Sequence, residues 1–361
     1  MDMSRFTDLP VIDCHTHFLN VNSDKRMLEM MNKAGFHKIG IVSGVSREKV
    51  NFNPEALYLK AKYPDRFFAF GGLDYSAMFS GSKQPKPCLP EQVETLIDVG
   101  FDGIKMVEGK PTLRKVIPIP FDSDFYGEYF SHVESLNFPI VFHVNDPEEF
   151  WDLEKVPEWA KEKGWFYDAT YPQKEQLYAE VENVLDRFPD LKVIFAHFYF
   201  LSADLERAAS LLDRHRNVHL DLAPGIEMYH NFSRNRENWR EFFIRYQDRI
   251  IYGTDICSKD SLLHAVERAW VTRNFLETDE EFFTWASTEA PVRGLKLPRS
   301  VLEKIYSMNF KRLVGEEPEK LNLTAAISEC KRIGDSTTKL GQGKPNANTA
   351  TRVASLLQQM Q

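Results

Sequence analysis

Residues 11–18 read VIDCHTHF, an apolar run that passes without a break into two histidines spaced two apart. Side chains alternate along a strand, so Asp13, His15 and His17 are expected on one face and Cys14 on the other. Two imidazoles on one face of a strand end can chelate a single metal ion, and nitrogen donors suit zinc and its neighbours. The turn that follows, FLNVNSDK, has no GxGxxG, which an open nucleotide-binding sheet would want after its first strand.

Seven further β-rich runs follow: IGIVSGV from Ile39, FFAFGGLDY from Phe67, FDGIKMVEG from Phe101, PIVFHVND from Pro139, KVIFAHFYF from Lys192, VHLDLAPG from Val218 and IIYGTDI from Ile250. Amphipathic segments such as PEQVETLIDVG and ADLERAASLLDRH separate them, several stopped by Gly, Pro or Asn before the next strand. Strand alternating with helix means βαβ units and a parallel sheet. Eight such units predict an α/β fold, a closed (β/α)8 TIM barrel over residues 1–315, with its site at the C-terminal ends of the strands. One connection is longer than the others. After Asp146 comes PEEFWDLEKVPEWAKEKGWFYDATYP, an insert with three tryptophans where a barrel keeps its active-site loops. The segment LPRSVLEKIYSMNFKRLVG closes the barrel at Gly315. Residues 316–361 read as a polar C-terminal extension, partly helical or disordered, with no pattern before VASLLQQMQ.

The histidine pair gains meaning from the other strand ends. His143 ends the apolar PIVFH, His197 lies in VIFAHF within the sixth run, and Asp255 closes IIYGTD. Burying these groups together with the histidine pair, without a common partner, would be costly, and a shared metal removes the cost. Lys105, in GIKM of the fourth run, has three readings: a snorkelling cation, an anchor for a substrate carboxylate, or a carbamate bridging two metals. An uncompensated ammonium beside a dication is disfavoured, so near a metal Lys105 must be modified, neutral or displaced.

From Leu9 to Gly315 the order and spacing of IDCHTHF, GIKM, FAH, YGTD and LPRSVLEKIYSMNFKRLVG resemble the amidohydrolase superfamily. The resemblance is to its amidohydrolase-related family, which includes aminocarboxymuconate-semialdehyde decarboxylase-like proteins. It implies that His15, His17, His143 and Asp255 bind a divalent metal, Zn2+ or alternatively Mn2+, with one or two ions per chain. It makes His197 a second-metal ligand or a catalytic, substrate-polarising histidine, Asp255 catalytic as well as ligating, and Lys105 the lysine that binuclear members carbamylate. The activity expected is hydrolysis of an amide, ester or lactone in a small cyclic or aromatic acid; the alternative is non-oxidative decarboxylation. Arg114, the insert, Arg234 and Arg236 are candidates for substrate contact. Glu108, Lys110, Glu227 and His230 are similarly placed but unassigned, and Cys257 is expected near the mouth. His37, His132, His215, His219 and His264 are expected to be structural or on the surface.

A net charge of −8 argues against a nucleic-acid or anionic-membrane surface, leaving a small-molecule substrate as the expected partner. No stretch approaches the roughly 18 apolar residues of a membrane span. Four scattered cysteines without a CxxC pair fit a reduced, cytoplasmic setting. The family resemblance adds a homodimer as a possible assembly.

Overall fold

The computed structural model describes residues 1–79, 86–225, 227–284, 287–340 and 349–361, with the backbone alone at 287–289. Eight strand positions form one parallel sheet: β1 (Val11–His17), β2 (Phe36–Val42), β3 (Phe67–Gly72), β4 (Gly103–Gly109), β5 (Ile140–Val144), β6 (Val193–Phe195), β7 (Val218–Asp221) and β8, which is split into Ile250–Ile251 and Ile256–Cys257. The split strand closes the barrel. Its first half pairs with β7 and its second half with β1, so both edges of the sheet end on one stretch of chain, and no edge is left to water.

A helix follows each strand: α1 (Asp24–Ala34), α2 (Asn53–Lys62), α3 (Leu89–Val99), α4 (Asp124–Ser135), α5 (Lys174–Arg187), α6 (Leu205–Arg214), α7 (Arg236–Arg245) and α8 (Leu262–Glu277). The amphipathic segments bury one face each; α1 buries Met27, Met30, Met31 and Ala34, the i, i+3, i+4, i+7 stripe of a surface helix. The barrel interior is packed where the strands begin. Ile12, Cys14, Phe68, Phe70, Val141, Ile194 and Ile251 form one cluster, plugged by Phe310 and Leu313 of the closing helical segment. The Phe310 ring meets Phe68 edge-on at 4.9 Å. Apolar filling at one end leaves the polar strand residues at the other.

The sixth run departs from its expected form. β6 stops at Phe195, and His197 to Phe200 turn with φ near +55°, four left-handed residues in succession, none a glycine. Each costs roughly 1–2 kcal/mol, offset by packing: Phe195 stacks on Tyr199 at 4.0 Å, and the Tyr178 hydroxyl donates to the Tyr199 carbonyl at 2.8 Å. His197 therefore stands just past the strand rather than in it.

The extension after Gly315 contains two helices, α9 (Leu323–Leu340) and α10 (Thr349–Gln358), packed on each other and on α2. Ala326, Ile327, Cys330, Ile333 and Gly334 bury one face of α9, so the stretch read as patternless does carry a helical stripe, built from small residues. Gly100, at φ 98°, stops α3; a β-carbon there would stand 2.5 Å from the Lys320 carbonyl, so the glycine lets the extension lie against the barrel. Arg332 of α9 pairs with Asp74, just beyond β3, at 2.7 Å. Among the described residues no helix is long and apolar enough to cross a membrane.

Candidate metal centre

The geometry of the centre starts from an irregularity in β1. Against β2, Asp13 lies opposite Ile39 and Thr16 opposite Ile41, three residues of β1 spanning two of β2. Such a bulge re-aims the side chains that follow it. Ile12 and Cys14 point into the barrel core, yet after the bulge His15 and His17 line the cavity above it. Gly40 on β2 accommodates the distortion, since a β-carbon there would stand 2.9 Å from the Cys14 carbonyl. The expectation that Asp13 shares a face with both histidines is thereby corrected. Asp13 is buried and turns to β8, taking the Thr254 hydroxyl, the Thr254 N–H at 3.1 Å and the His15 N–H at 3.0 Å.

Asp255 sits in the gap of β8 with φ 57°, its N–H donating to the His15 carbonyl at 2.8 Å. That contact carries its carboxylate to the β1 histidines: Oδ1 is 3.0 Å from His17 Nε2 and 3.8 Å from His15 Nε2. One donor atom from each of His15, His17 and Asp255 lies within 4.8 Å of the others, the separation expected of groups sharing one ion of tetrahedral or octahedral habit. Burial alone would raise Asp255, but the His17 hydrogen bond and the neighbouring imidazoles outweigh it and hold the carboxyl well below the usual range.

The remaining histidines are oriented by acceptors, which fixes their tautomers. His15 Nδ1 donates to Asp221 Oδ2 at 2.8 Å, leaving Nε2 with its lone pair. His197 Nδ1 donates to the Ala223 carbonyl at 3.0 Å, and the His197 backbone N–H donates to Asp221 Oδ1 at 2.8 Å. His143 Nε2 donates to the Asn145 carbonyl at 2.9 Å, so its lone pair is on Nδ1. Burial keeps all three neutral: His15 lies well below its ordinary value, His143 is lowered to about 4 and His197 to about 3. Neutral imidazoles with one nitrogen anchored by a carboxylate or carbonyl are the form in which histidine binds metal. The donor set fits a divalent ion.

The structure brings all six predicted residues, His15, His17, Lys105, His143, His197 and Asp255, into one cavity of about 760 Å³. It does not draw them equally close. The tight group is His15, His17 and Asp255; the His197 ring is 5.2 Å from that of His15 and 4.9 Å from that of His143. Lys105 Nζ stands 3.4 Å from His15 Nε2, fully buried, its pKa lowered to about 8 by burial against the pull of Asp221 and Asp255.

Around this floor the insert after β5 raises an aromatic wall. Phe150, Val156, Ala160 and Tyr167 pack with Trp159 and Trp165 into a cluster of their own, and Phe200 faces them. Lys110 lies 4.2 Å from the Trp165 ring and pairs with Asp146 at 2.8 Å.

Two residues escaped the sequence reading. Asp221 closes β7 as a lone carboxylate in VHLD, a signal visible in the sequence. Arg268, on α8, lines the cavity with Nη1 2.9 Å from the Thr254 carbonyl and 3.9 Å from Asp255 Oδ2. His264, expected to be structural or superficial, also lines the cavity and accepts from Arg268 Nε at 3.0 Å. Arg114, expected to touch substrate, is buried against Glu180 at 3.1 Å and the Ile117 carbonyl at 3.0 Å, away from the cavity. Arg236 is held by the Gly294 carbonyl at 2.6 Å, and Arg234 lines a neighbouring cavity of about 470 Å³. Glu227 lines both cavities. Glu108 is buried, its carboxyl pushed up to about 7 by burial, and takes the Val107 N–H. Cys257 and His230 are not among the residues lining the cavity.

A family model described as "Amidohydrolase" matches residues 12–315. Among curated proteins none matches the chain. Among solved structures, an uncharacterized TIM-barrel protein from Bordetella bronchiseptica is 15% identical with a TM-score of 0.54, over 84% of this chain and 98% of that one. A dihydroxybenzoic acid decarboxylase from Polaromonas, solved with manganese and 2-nitroresorcinol, is 14% identical with a TM-score of 0.51, over 85% and 97%. A probable 2-pyrone-4,6-dicarboxylic acid hydrolase from Acinetobacter baumannii, solved with citric acid, is 12% identical with a TM-score of 0.50, over 85% and 99%. At these identities the likeness is one of fold, and the fold is the TIM barrel.

Proposed function

The chain belongs to the amidohydrolase family, and from that premise we propose that it is a metal-dependent hydrolase of an amide, ester or lactone bond in a small cyclic or aromatic acid. The observation that carries this reading is the convergence of His15, His17 and Asp255 in one cavity, with the far nitrogen of His15 tied to Asp221. A divalent ion, zinc or manganese, held there would supply Lewis-acid polarisation and an acidified water.

The chain's own residues supply the rest. Asp255, ionised and beside both β1 histidines, takes the proton of the attacking water and returns it to the leaving group. His197 has spent its N–H on Ala223, so Nε2 offers only a lone pair. That tautomer supports a ligand or proton-acceptor role and disfavours donation to a substrate carbonyl. Phe150, Trp159, Trp165 and Phe200 offer flat apolar surface to a ring, and Lys163 and Arg268 offer cations to its carboxylate. All four cysteines are free thiols, which accords with a cytoplasmic enzyme.

Decarboxylation is the second reading, and Lys105 favours it. An unmodified lysine 3.4 Å from His15 Nε2 offers no bridge to a second ion, and either uncharged or displaced from the metal it would anchor a substrate carboxylate. The bond broken would then join ring carbon to carboxylate; CO2 leaves with the bonding pair left on carbon, and a proton taken up from solvent by Asp255 or by His197 Nε2 is delivered to that carbon. The Polaromonas decarboxylase shares this fold.

Elemental analysis of protein purified with bicarbonate and without chelator, together with Lys105→Ala, separates the two. The hydrolase reading expects nearly two ions per chain, falling to one or fewer in the variant. One ion in both removes a bridging carbamate and moves decarboxylation to first place. The loaded protein is then offered aryl lactones, anilides and hydroxybenzoic acids; acid release without CO2 supports hydrolysis, and CO2 evolution overturns it.

A further inference from the structure

The geometry points to Asp221 as the positioning residue that sets which nitrogen of His15 carries the proton, and so whether His15 can bind a metal at all. The inference rests on the metal reading above for its consequence, but not for its geometry. Asp221 is fully buried and makes three hydrogen bonds. Oδ1 accepts from the His197 N–H at 2.8 Å and from the Ala223 N–H at 3.0 Å, and Oδ2 accepts from His15 Nδ1 at 2.8 Å. Both partners of Oδ1 are backbone amides, which can only donate. The atom at that position must therefore be an acceptor whatever residue supplies it.

This requirement makes the isosteric substitution harsher than truncation. In Asp221→Asn the side-chain oxygen must stay on the two backbone amides, so the NH2 group faces His15 Nδ1. An amide NH2 only donates. His15 Nδ1 must then accept, its proton moves to Nε2, and the lone pair facing Asp255 and Lys105 is lost. Asp221→Ala leaves no donor at that place, and His15 remains able to present Nε2.

Asp13 provides an internal contrast. It too is buried, with Oδ1 on two backbone amides and Oδ2 on the Thr254 hydroxyl. A hydroxyl can turn from donor to acceptor, so Asp13→Asn keeps a hydrogen bond to each of its three partner groups and leaves the His15 ring protonated on Nδ1. Two neighbouring buried aspartates should thus respond oppositely to the same loss of charge.

The test uses the full-length chain labelled with 15N in its imidazoles, free of metal, with the His15 signals identified by their loss in His15→Asn. Wild type and Asp13→Asn are expected to carry the proton on Nδ1, and Asp221→Asn on Nε2. Zinc affinity by chelator competition is expected to fall about 100-fold in Asp221→Asn, the upper end for loss of a ligand's hydrogen-bond partner, and less in Asp221→Ala. Retention of the Nδ1 proton in Asp221→Asn, or equal affinities in the two Asp221 variants, overturns the inference. If Asp221→Asn does not fold, Asp221→Ala decides: a mixture of tautomers supports it, and an unchanged Nδ1 proton refutes it. Failure of wild type to bind zinc sinks the metal reading alone, because the nitrogen signals still settle the tautomer.

Discussion

The floor and the wall of the cavity are built by different physics. On the floor, His15, His197 and Asp255 stand at strand ends, each held by a short hydrogen bond to a carboxylate or a backbone group of another strand. The wall is a satellite cluster of aromatic rings from residues 150–167, packed edge to face: Trp159 meets Trp165 at 5.8 Å, and Phe150 meets Trp159 at 5.8 Å. Its polar tie to the barrel is Asp146, which takes the Tyr167 hydroxyl and Lys110. Directional, charge-assisted bonds fix atoms to a few tenths of an ångström, as chemistry on a metal demands. Aromatic packing tolerates exchange, as substrate selection demands. Reaction and specificity should therefore separate by mutation.

The largest effect is expected on the floor. Asp255→Asn removes both the proton carrier and the charge beside His17, and kcat should fall by about 10²–10⁴-fold, the range for loss of a positioned acid–base group. Metal content by elemental analysis should fall with it. Full metal occupancy with unchanged kcat would falsify the assignment of Asp255 to both roles.

On the wall, Trp165→Ala should spare metal content and leave kcat within a few-fold. KM should rise about tenfold, near 1.4 kcal/mol, as befits one aromatic contact with a ring. A collapse of kcat without a change in KM would show that the wall acts on chemistry, and the contrast between the two regions would break. Tyr167→Phe probes the tie itself. Removing its hydroxyl from Asp146 should cost about 1–2 kcal/mol in thermal or urea unfolding while hardly changing kcat. A loss of activity larger than the loss of stability would mean that Asp146 transmits strain to His143, which lies 3.4 Å from it.

Much of this was legible in the sequence, for physical reasons that also explain what was not. VIDCHTHF, GIKM, PIVFH and YGTD each set a polar residue at the end of an apolar run, and strand alternation with helix is enough to bring such ends to one face of a barrel. The bulge in β1 was hidden, because ordinary alternation and a bulge both put His15 and His17 together; only Asp13 and Cys14 distinguish the two. The left-handed turn in AHFYF has no glycine to announce it. Asp221 was overlooked because it supports ligands rather than being read as one. Arg268 has no local signal, since its place in the cavity depends on how α8 returns over β8. Helix α9 buries small and half-polar residues, which a hydrophobic pattern underweights.

An effect confined to stability separates the cavity from the strands beneath it. His219 lies on β7 below the cavity, and its Nδ1 donates to the Asn217 carbonyl at 3.2 Å. Burial, helped by Arg249, Arg312 and Lys192, lowers its pKa to about 3 from an ordinary 6.5. The unfolded chain therefore binds a proton that the folded chain refuses. The stability this histidine contributes is fully present above pH 6.5 and drains away as pH falls from there towards 3, at roughly 1.4 kcal/mol per pH unit. His143 and His197, lowered in the same direction, add to the acid sensitivity. His219→Gln removes one titrating group without touching the cavity. Unfolding measured from pH 7.5 to 4.5 should show a shallower loss in the variant, by about that slope, with zinc affinity unchanged at pH 7.5. Parallel curves would mean that the fold does not hold His219 neutral, and the acid sensitivity would then belong to the cavity histidines.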